Sequence, residues 1–366
     1  MEKQNQTLEN VMKQKRWWMG NNGEQVRVLA PMVGICTISY RTMALDAGAS
    51  AVFTEELVSK RLCECKRVEN SGIIQYIHKN DVMLTLKPEQ QSKTILQLGT
   101  FDVESSVKCV SLIQEVCGID INLGCGMWFS TKGEMGQALV DNRDKLEKIV
   151  KALVGLGKPI SAKIRLQQTH EETLEFIQWL YSLGISIISL HGRHHKELYG
   201  VDCDWAELEK VVKDCPYDLI LNGDICKQED ITKLLSFGKN VRGVMIGRGS
   251  GIHLGLFNPQ GGDYVFDESK TKMRMTDFIQ RAIKDGLRFT KIKFVLLQII
   301  RYEKDYPFGS WRREKTTLKL NQINQRISSS KTIEQLIDAI SLPELKKELI
   351  QSQNTNESIE EEKKLK

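Results

Sequence analysis

The chain has 366 residues, 41% of them hydrophobic, with 52 Lys and Arg against 47 Asp and Glu and a formal net charge of +5. That is ample apolar material for a large core and too little charge bias for a disordered polyelectrolyte, and the length suits one α/β barrel with an extension. No run of about 18 apolar residues occurs, and the first 25 residues lack an apolar leader core. Neither a membrane span nor a secretory signal is expected; a cytoplasmic location is, with mitochondrion and nucleus left open. The nine cysteines are odd in number, scattered and without a C-x-x-C pair, which fits reduced thiols. Cys63-Glu64-Cys65 is spaced wrongly for common zinc sites.

Residues 1–25 are polar, with Lys13, Lys15 and Arg16 beside Trp17 and Trp18, and read as an arm. From Val26 a rhythm begins. Eight short apolar runs of strand character follow: VRVLA (26–30), AVFT (51–54), TILQLG (94–99), GIDINL (118–123), PISAKI (159–164), SIISLH (186–191), DLILNG (218–223) and RGVMIG (242–247). Between them, residues 39–48, 103–117, 143–156, 171–183, 204–214 and 227–237 carry helical periodicity. Residues 72–86 read as an added β-hairpin with Lys-Asn-Asp at its turn. Strands alternating with helices imply parallel β/α units, and eight of them imply a closed (β/α)₈ TIM barrel over 26–270, with an open doubly wound sheet as the alternative.

Residues 271–350 show helices without strands, a smaller all-helical C-terminal domain. Between Thr271 and Arg326 stand 14 Lys and Arg against 5 Asp and Glu. Such a face is either merely solvated or a platform for a polyanion such as RNA. Residues 351–366 are polar and charged and read as a disordered tail.

The richest stretch is 118–136, GIDINLGCGMWFSTKGEMG. A strand breaks at Gly124 into a loop whose first side chain is Cys125. Beyond it come Trp128, Phe129 and Lys132, with Gly126, Gly133 and Gly136 allowing close backbone approach. An isolated Gly-Cys-Gly is ordinarily a turn with a small buried thiol. The other strand ends change that reading, since active sites of such barrels form at the C-terminal rim. Strand one ends in Ala30-Pro31-Met32. Strand three carries Gln97, strand four Asp120 and Asn122, and strand five Lys163 and Arg165. Strand six ends in His191-Gly192-Arg193, strand seven in Asn222-Gly223-Asp224 and strand eight in Gly247-Arg248-Gly249. The last two offer glycine N–H groups and Arg248 where barrels often hold phosphate. Lys163 suits an anionic, electron-rich ring. A phosphate-bearing redox cofactor is expected, with a thiol poised over it as acid or nucleophile.

At these residues the sequence resembles the flavin-dependent tRNA dihydrouridine synthases. The match runs over Leu29-Ala-Pro-Met32, Gln97-Leu-Gly99, Asn122-Leu-Gly-Cys125, Ser130-Thr-Lys-Gly133, Lys163-Ile-Arg165, His191-Gly-Arg193, Asn222-Gly-Asp224 and Gly247-Arg248. The later FIQRAIKDGLRFTKIKFVLLQIIR helices resemble the eukaryotic branch that reduces uridine 20. The resemblance implies FMN on the rim, near Pro31, Met32 and Gln97, with Lys163 and His191 at its ring system. Asn222, Gly223, Asp224, Gly247 and Arg248 would hold its phosphate end. It further implies NADPH or NADH as reductant and Cys125 as general acid to the uracil. Asn122, Lys132, Arg165 and Arg193 would bind the substrate tRNA. No metal is implied, and the protein is expected as a monomer open to association with others.

Two positions depart from the family pattern. Gly126 stands where the family has proline after the cysteine, which implies a looser loop. His194 and His195 follow His191-Gly-Arg193 where the family favours threonine. Two other readings stay open: an FMN barrel acting on a small molecule, and a non-catalytic relative serving as an RNA-binding or assembly subunit.

Overall fold

The structure is a computed structural model and describes residues 17–20, 23–126, 130, 132–195, 197, 200–262, 267–305 and 318–340. The described residues fall into two compact units, one up to residue 262 and one from residue 267. Among them no helix is long and apolar enough to cross a membrane.

The first unit is a closed parallel barrel. Its strands are β1 (Val26–Leu29), β2 (Ala51–Phe53), β7 (Thr94–Gly99), β8 (Gly118–Asn122), β9 (Ile160–Leu166), β10 (Ile187–His194), β11 (Leu219–Asn222) and β12 (Val241–Ile246). They pair in that order, and β1 closes the ring on β12 through Val26↔Gly243 to Leu29↔Ile246. Each is covered on both faces, which is why each reads as a continuous β-branched run. A two-residue strand β3 (Leu57–Val58) lengthens the sheet beside the end of β7 without joining the ring.

The intervening helices start where the sequence supplies caps. Thr37, Asp102, Asn142, Thr169 and Asp204 each accept a backbone N–H at a helix N-terminus. The helix expected over 103–117 stops at Leu112. Glu115 is drawn instead to Arg67 at 2.8 Å and to the Tyr76 hydroxyl, which takes the chain out of helical register.

The hairpin expected over 72–86 is part of a three-stranded antiparallel sheet, β4 (Lys66–Asn70), β5 (Ile73–His78) and β6 (Asp81–Leu86). Its extra strand, Lys-Arg-Val-Glu-Asn, is an exposed edge with almost no apolar signal.

The expected polar arm needs a correction at its end. Trp17 and Trp18 are 7% and 4% exposed and belong to the core, packed with Val26, Val28, Phe53, Ile95, Ile187 and Ile220. Trp17 meets Trp18 and Phe53 edge to face, with centroids 5.5 and 5.3 Å away. A Cβ on Gly118, the first residue of β8, would lie 3.1 Å from Trp17 Nε1. The indole pair thus plugs the barrel end opposite the rim. The rest of the arm, residues 1–16, lies outside the described residues, as do 341–350 and the tail from 351.

The second unit is helical, with helices Glu268–Lys284, Phe289–Asp305, Leu318–Ser329 and Ile333–Ile340. The first two meet at a turn where Gly286 takes φ +67. Lys293 Nζ caps the third helix by donating to the carbonyls of Ser328 and Ser330 at 2.7 and 2.8 Å.

Candidate active site

The barrel brings the expected rim residues onto adjoining strand ends. Asn122, the last residue of β8, is buried, and its Oδ1 accepts the N–H groups of Gly124 and Cys125, both at 3.0 Å. This Asx turn aims the loop that carries the half-buried Cys125. The far side of the loop is also fastened: Gln137 N–H donates to the Cys125 carbonyl at 3.0 Å, and Met135 N–H to the Ser130 carbonyl at 2.9 Å. The looseness expected from Gly126 is therefore countered by bonds on both flanks. Lys132 is exposed on the same loop; Met127, Trp128 and Phe129 lie outside the described residues.

Beneath the loop runs a buried polar layer. Gln97 Nε2 on β7 donates to Asp120 Oδ2 at 2.8 Å, and Ser161 Oγ on β9 donates to Oδ1 at 2.7 Å. Burial pushes the Asp120 carboxyl up to about 6, against the pull of these donors and of Lys163. Burial and the nearby Arg165 guanidinium bring Lys163 down to about 8. Lys163 is half-buried, and among the described residues it forms no hydrogen bond or ion pair. Asp120 is near enough to favour its charge but makes no direct bond to it, so the half-buried ammonium keeps its donors for an anion.

The opposite arc is cationic. Arg193 is buried and donates to both oxygens of Asp224, at 2.9 and 3.0 Å, and through Nε to the Val201 carbonyl at 2.5 Å. Arg248 Nη2 adds a 2.6 Å bond to Asp224 Oδ1, and Cys203 N–H donates to Oδ2 at 2.9 Å. Burial alone would raise the Asp224 carboxyl, but Arg193 and Arg248 hold it below the usual range. Of the residues expected at the phosphate end, Asp224 is thus an anion that orients Arg248.

His191 Nδ1 accepts the Arg193 N–H at 3.1 Å, which leaves its proton on Nε2. The 3.4 Å approach of Arg193 Nη1 to Nε2 is then a contact between donors. Burial and the charges of Lys163, Arg193, Arg165 and Arg248 keep this imidazole neutral, well below its ordinary range. His194 turns away, with Nδ1 on the Gln167 carbonyl at 2.7 Å, and does not join His191.

Two residues expected to bind substrate serve protein acceptors instead. Arg165 is 5% exposed and donates to the Glu197 carbonyl at 2.5 Å and the His194 carbonyl at 3.4 Å, while Arg193 is held as described. Asn222 Nδ2 donates to the Met245 carbonyl at 2.6 Å. Gly223 takes φ +127, and a Cβ there would stand 2.4 Å from Cys203 Sγ. A Cβ on Gly247 would meet only Ala30 and Met32, at 3.7 and 4.0 Å, which leaves an open notch at the rim beside half-buried Pro31 and Met32.

Glu56, which follows β2, is a rim residue the sequence reading passed over. Ser130 Oγ donates to its carboxyl at 3.3 Å, and burial raises this carboxyl against the pull of the nearby Ser130, Cys125 and Asn122 side chains. The available signal was an acidic pair, Glu55-Glu56, directly after a barrel strand.

Together these residues offer an acid–base thiol, an ammonium in no direct ion pair among the described residues, a neutral imidazole and an arginine beside a glycine notch. Comparison with known proteins points the same way. The dihydrouridine synthase family model matches residues 28–346. The tRNA-dihydrouridine(20) synthase of Schizosaccharomyces pombe is 30% identical over 331 residues, 86% of this chain and 64% of that protein. The Saccharomyces cerevisiae protein of the same name is 36% identical over 184 residues, 45% of this chain and 47% of that protein. The tRNA-dihydrouridine(16/17) synthase of S. pombe is 28% identical over 244 residues, 65% of this chain and 57% of that protein. The chain thus spans about half to two thirds of the length of these relatives. A match that begins in β1 and runs through the whole rim into the C-terminal helices makes this chain a member of the dihydrouridine synthase family.

Proposed function

We propose that the protein reduces the 5,6 double bond of a uridine in tRNA to dihydrouridine, using FMN and NADPH or NADH. The observation that carries the reading is the pairing of two features on neighbouring strands: the Cys125 thiol held by Asn122 at the tip of β8, and half-buried Lys163 on β9.

The donor set fits a flavin mononucleotide. Lys163 would supply positive charge for the electron-rich end of an isoalloxazine, and Nε2 of neutral His191 would supply a donor to it. The notch at Gly247, flanked by Arg248, suits a phosphate. Pro31 and Met32 offer apolar contact, and Gln97 an amide already fixed by Asp120. Bound there, reduced flavin supplies a hydride.

The chain's own part is proton delivery and placement. The Cys125 S–H bond breaks as a C–H bond forms at C5 of the uracil. Thiols ordinarily titrate near ~8.5 and so carry their proton at neutral pH. A uracil reached this way has left its base stack. The helical unit supports a polyanionic substrate: Lys284, Arg288, Lys291, Arg301 and Arg326 are all exposed. Uridine 20 is the first position to test, given the names of two of the relatives.

The test is an absorbance spectrum of the purified protein, followed in the same anaerobic cuvette by NADPH and then unmodified tRNA. Flavin bands that bleach with NADPH and recover with tRNA are expected. A flavin that bleaches and ignores a panel of tRNAs would sink the reading.

A further inference from the structure

None of the steps above uses the carboxyl group that sits against the thiol. Glu56 is buried, 9% exposed. A Cβ on Gly99 would lie 2.5 Å from its Oε1, so glycine at the end of β7 is what admits it to the rim. Its carboxyl accepts from Ser130 Oγ at 3.3 Å, and the side chains of Cys125 and Asn122 are near enough to favour its charged form. One of these neighbours is the thiol itself, and another is the residue whose Oδ1 fixes the thiol's loop. Gly136 keeps the group together: a Cβ there would lie 2.7 Å from Ser130 Oγ and 3.2 Å from Cys125 Cβ. Adjacent Glu55 is engaged elsewhere, accepting the Gly34 N–H at 2.7 Å.

We infer that Glu56 returns a proton to Cys125 after each turnover; the inference rests on the uridine-reducing reading and names the group behind its acid. When the thiol has given its proton to C5, a thiolate is left near Glu56, with Ser130 Oγ bonded to that carboxyl and packed beside Cys125 around Gly136. The carboxylic O–H bond breaks, an S–H bond forms, and Glu56 remains as a carboxylate. It takes its next proton from water once the product has left. No electrons move in this step. The transfer runs downhill, because a thiol ordinarily titrates near ~8.5 and a carboxyl near ~4.3. Burial favours the neutral carboxyl, so Glu56 reloads at a higher pH than an exposed glutamate. Among the described residues, charged groups on the elements around the thiol include Lys163 and Arg165 from β9 and, on its own loop, Lys132 and Glu134, the last paired with Lys145 at 2.6 Å. All four stay unchanged in the test.

Glu56→Gln keeps the volume and an acceptor for Ser130 and has no acidic proton to give. The first readout is peptide-resolved labelling of Cys125 by iodoacetamide against pH, in flavin-loaded protein without tRNA. With no carboxylate beside the forming thiolate, the labelling midpoint should fall by about one pH unit, roughly tenfold faster labelling below it. The second readout compares one turnover with many. Reduction of the first uridine should stay within about threefold, while steady-state turnover falls at least about tenfold, as for loss of a proton-transfer group. Glu56→Asp should lie between.

An unchanged labelling profile overturns the inference. So does an equal fall in single and multiple turnover, or failure of both variants to fold, since Glu56 would then serve structure. A labelling shift in a protein whose wild type reduces no uridine overturns the uridine reading and the relay with it. Ordinary wild-type turnover without a labelling shift overturns the relay alone.

Discussion

Arg193 and Asp224 form a bidentate pair at the ends of β10 and β11, with Nη2 placed 2.9 and 3.0 Å from the two carboxylate oxygens. Both side chains are buried, and the same carboxylate carries Arg248, which is only a quarter exposed. The pair therefore links barrel stability to the position of the proposed phosphate-binding cation.

Asp224→Asn should lower the unfolding free energy by about 2–3 kcal/mol, short of the ~3–5 typical when a buried partner is lost outright, because the amide oxygen still accepts. The sign of its pH dependence follows from the depressed carboxyl. The stabilisation is present above the unfolded value near ~3.9 and is lost as pH falls through the lower folded value. Urea melts of wild type and variant should stay separated from neutral pH down to about 5 and converge below about 4. Melts that differ equally at every pH would count against the pair.

Lys163 makes flavin binding sensitive to pH on the alkaline side. Burial and Arg165 bring its ammonium to about 8, so in the cofactor-free protein the charge is present at neutral pH and disappears as pH rises through that value. FMN affinity measured by fluorescence quenching should weaken above pH 8 and be level between 6 and 7.5. Lys163→Met should cost about tenfold to a hundredfold in affinity, the worth of a charge-assisted hydrogen bond, and flatten the profile.

Trp17→Ala removes the plug from the barrel end away from the rim. A large buried aromatic replaced by alanine costs about 3–5 kcal/mol. Denaturation of the flavin-free variant should show that loss, while FMN affinity changes less than about threefold, since the indole packs on Trp18, Phe53 and Gly118 at the barrel end away from the rim. A larger fall in affinity would mean that the two ends of the barrel are coupled.

The barrel was legible because each of its strands is buried on both faces. The runs at 94–99 and 118–123 coincide with β7 and β8 to within a residue. Edge strand β4 was not, because Lys66, Arg67, Glu69 and Asn70 face solvent and leave no hydrophobic period. The rim residues were legible as polar types at strand ends, but their bonds were not. Nothing in the one-dimensional pattern says that Asp224 orients two arginines, or that Asn122 gives its oxygen to the Cys125 loop. Glu56 escaped for a related reason: it lies between two short strands, and only closure of the sheet carries it over Gly99 to a loop more than sixty residues later in the chain.

Two glycines on the cysteine loop should answer differently to alanine. Gly136 takes φ +60, and a Cβ there would stand 2.5 Å from the Cys125 carbonyl oxygen and 2.7 Å from Ser130 Oγ. The left-handed backbone alone costs about 1–2 kcal/mol in an L-residue, and the clash must be relieved by moving the loop that carries the thiol. A displacement on the order of 1 Å at a reacting group can cost about a hundredfold in rate. Gly136→Ala should therefore retain bound flavin and its reduction by NADPH while losing about that much uridine reduction. At Gly126 the three atoms nearest a Cβ all belong to the amide end of Gln137, with Oε1 2.8 Å away, so the close contact is with the end of a side chain and not with backbone. Gly126→Ala should stay within about threefold of wild type, a change that small side-chain adjustment absorbs. Stopped-flow reoxidation of the reduced flavin by tRNA measures both variants on one scale. If Gly126→Ala proves the more damaging of the two, the cysteine loop is positioned by its first glycine, and the bonds from Asn122 and Gln137 do not hold it.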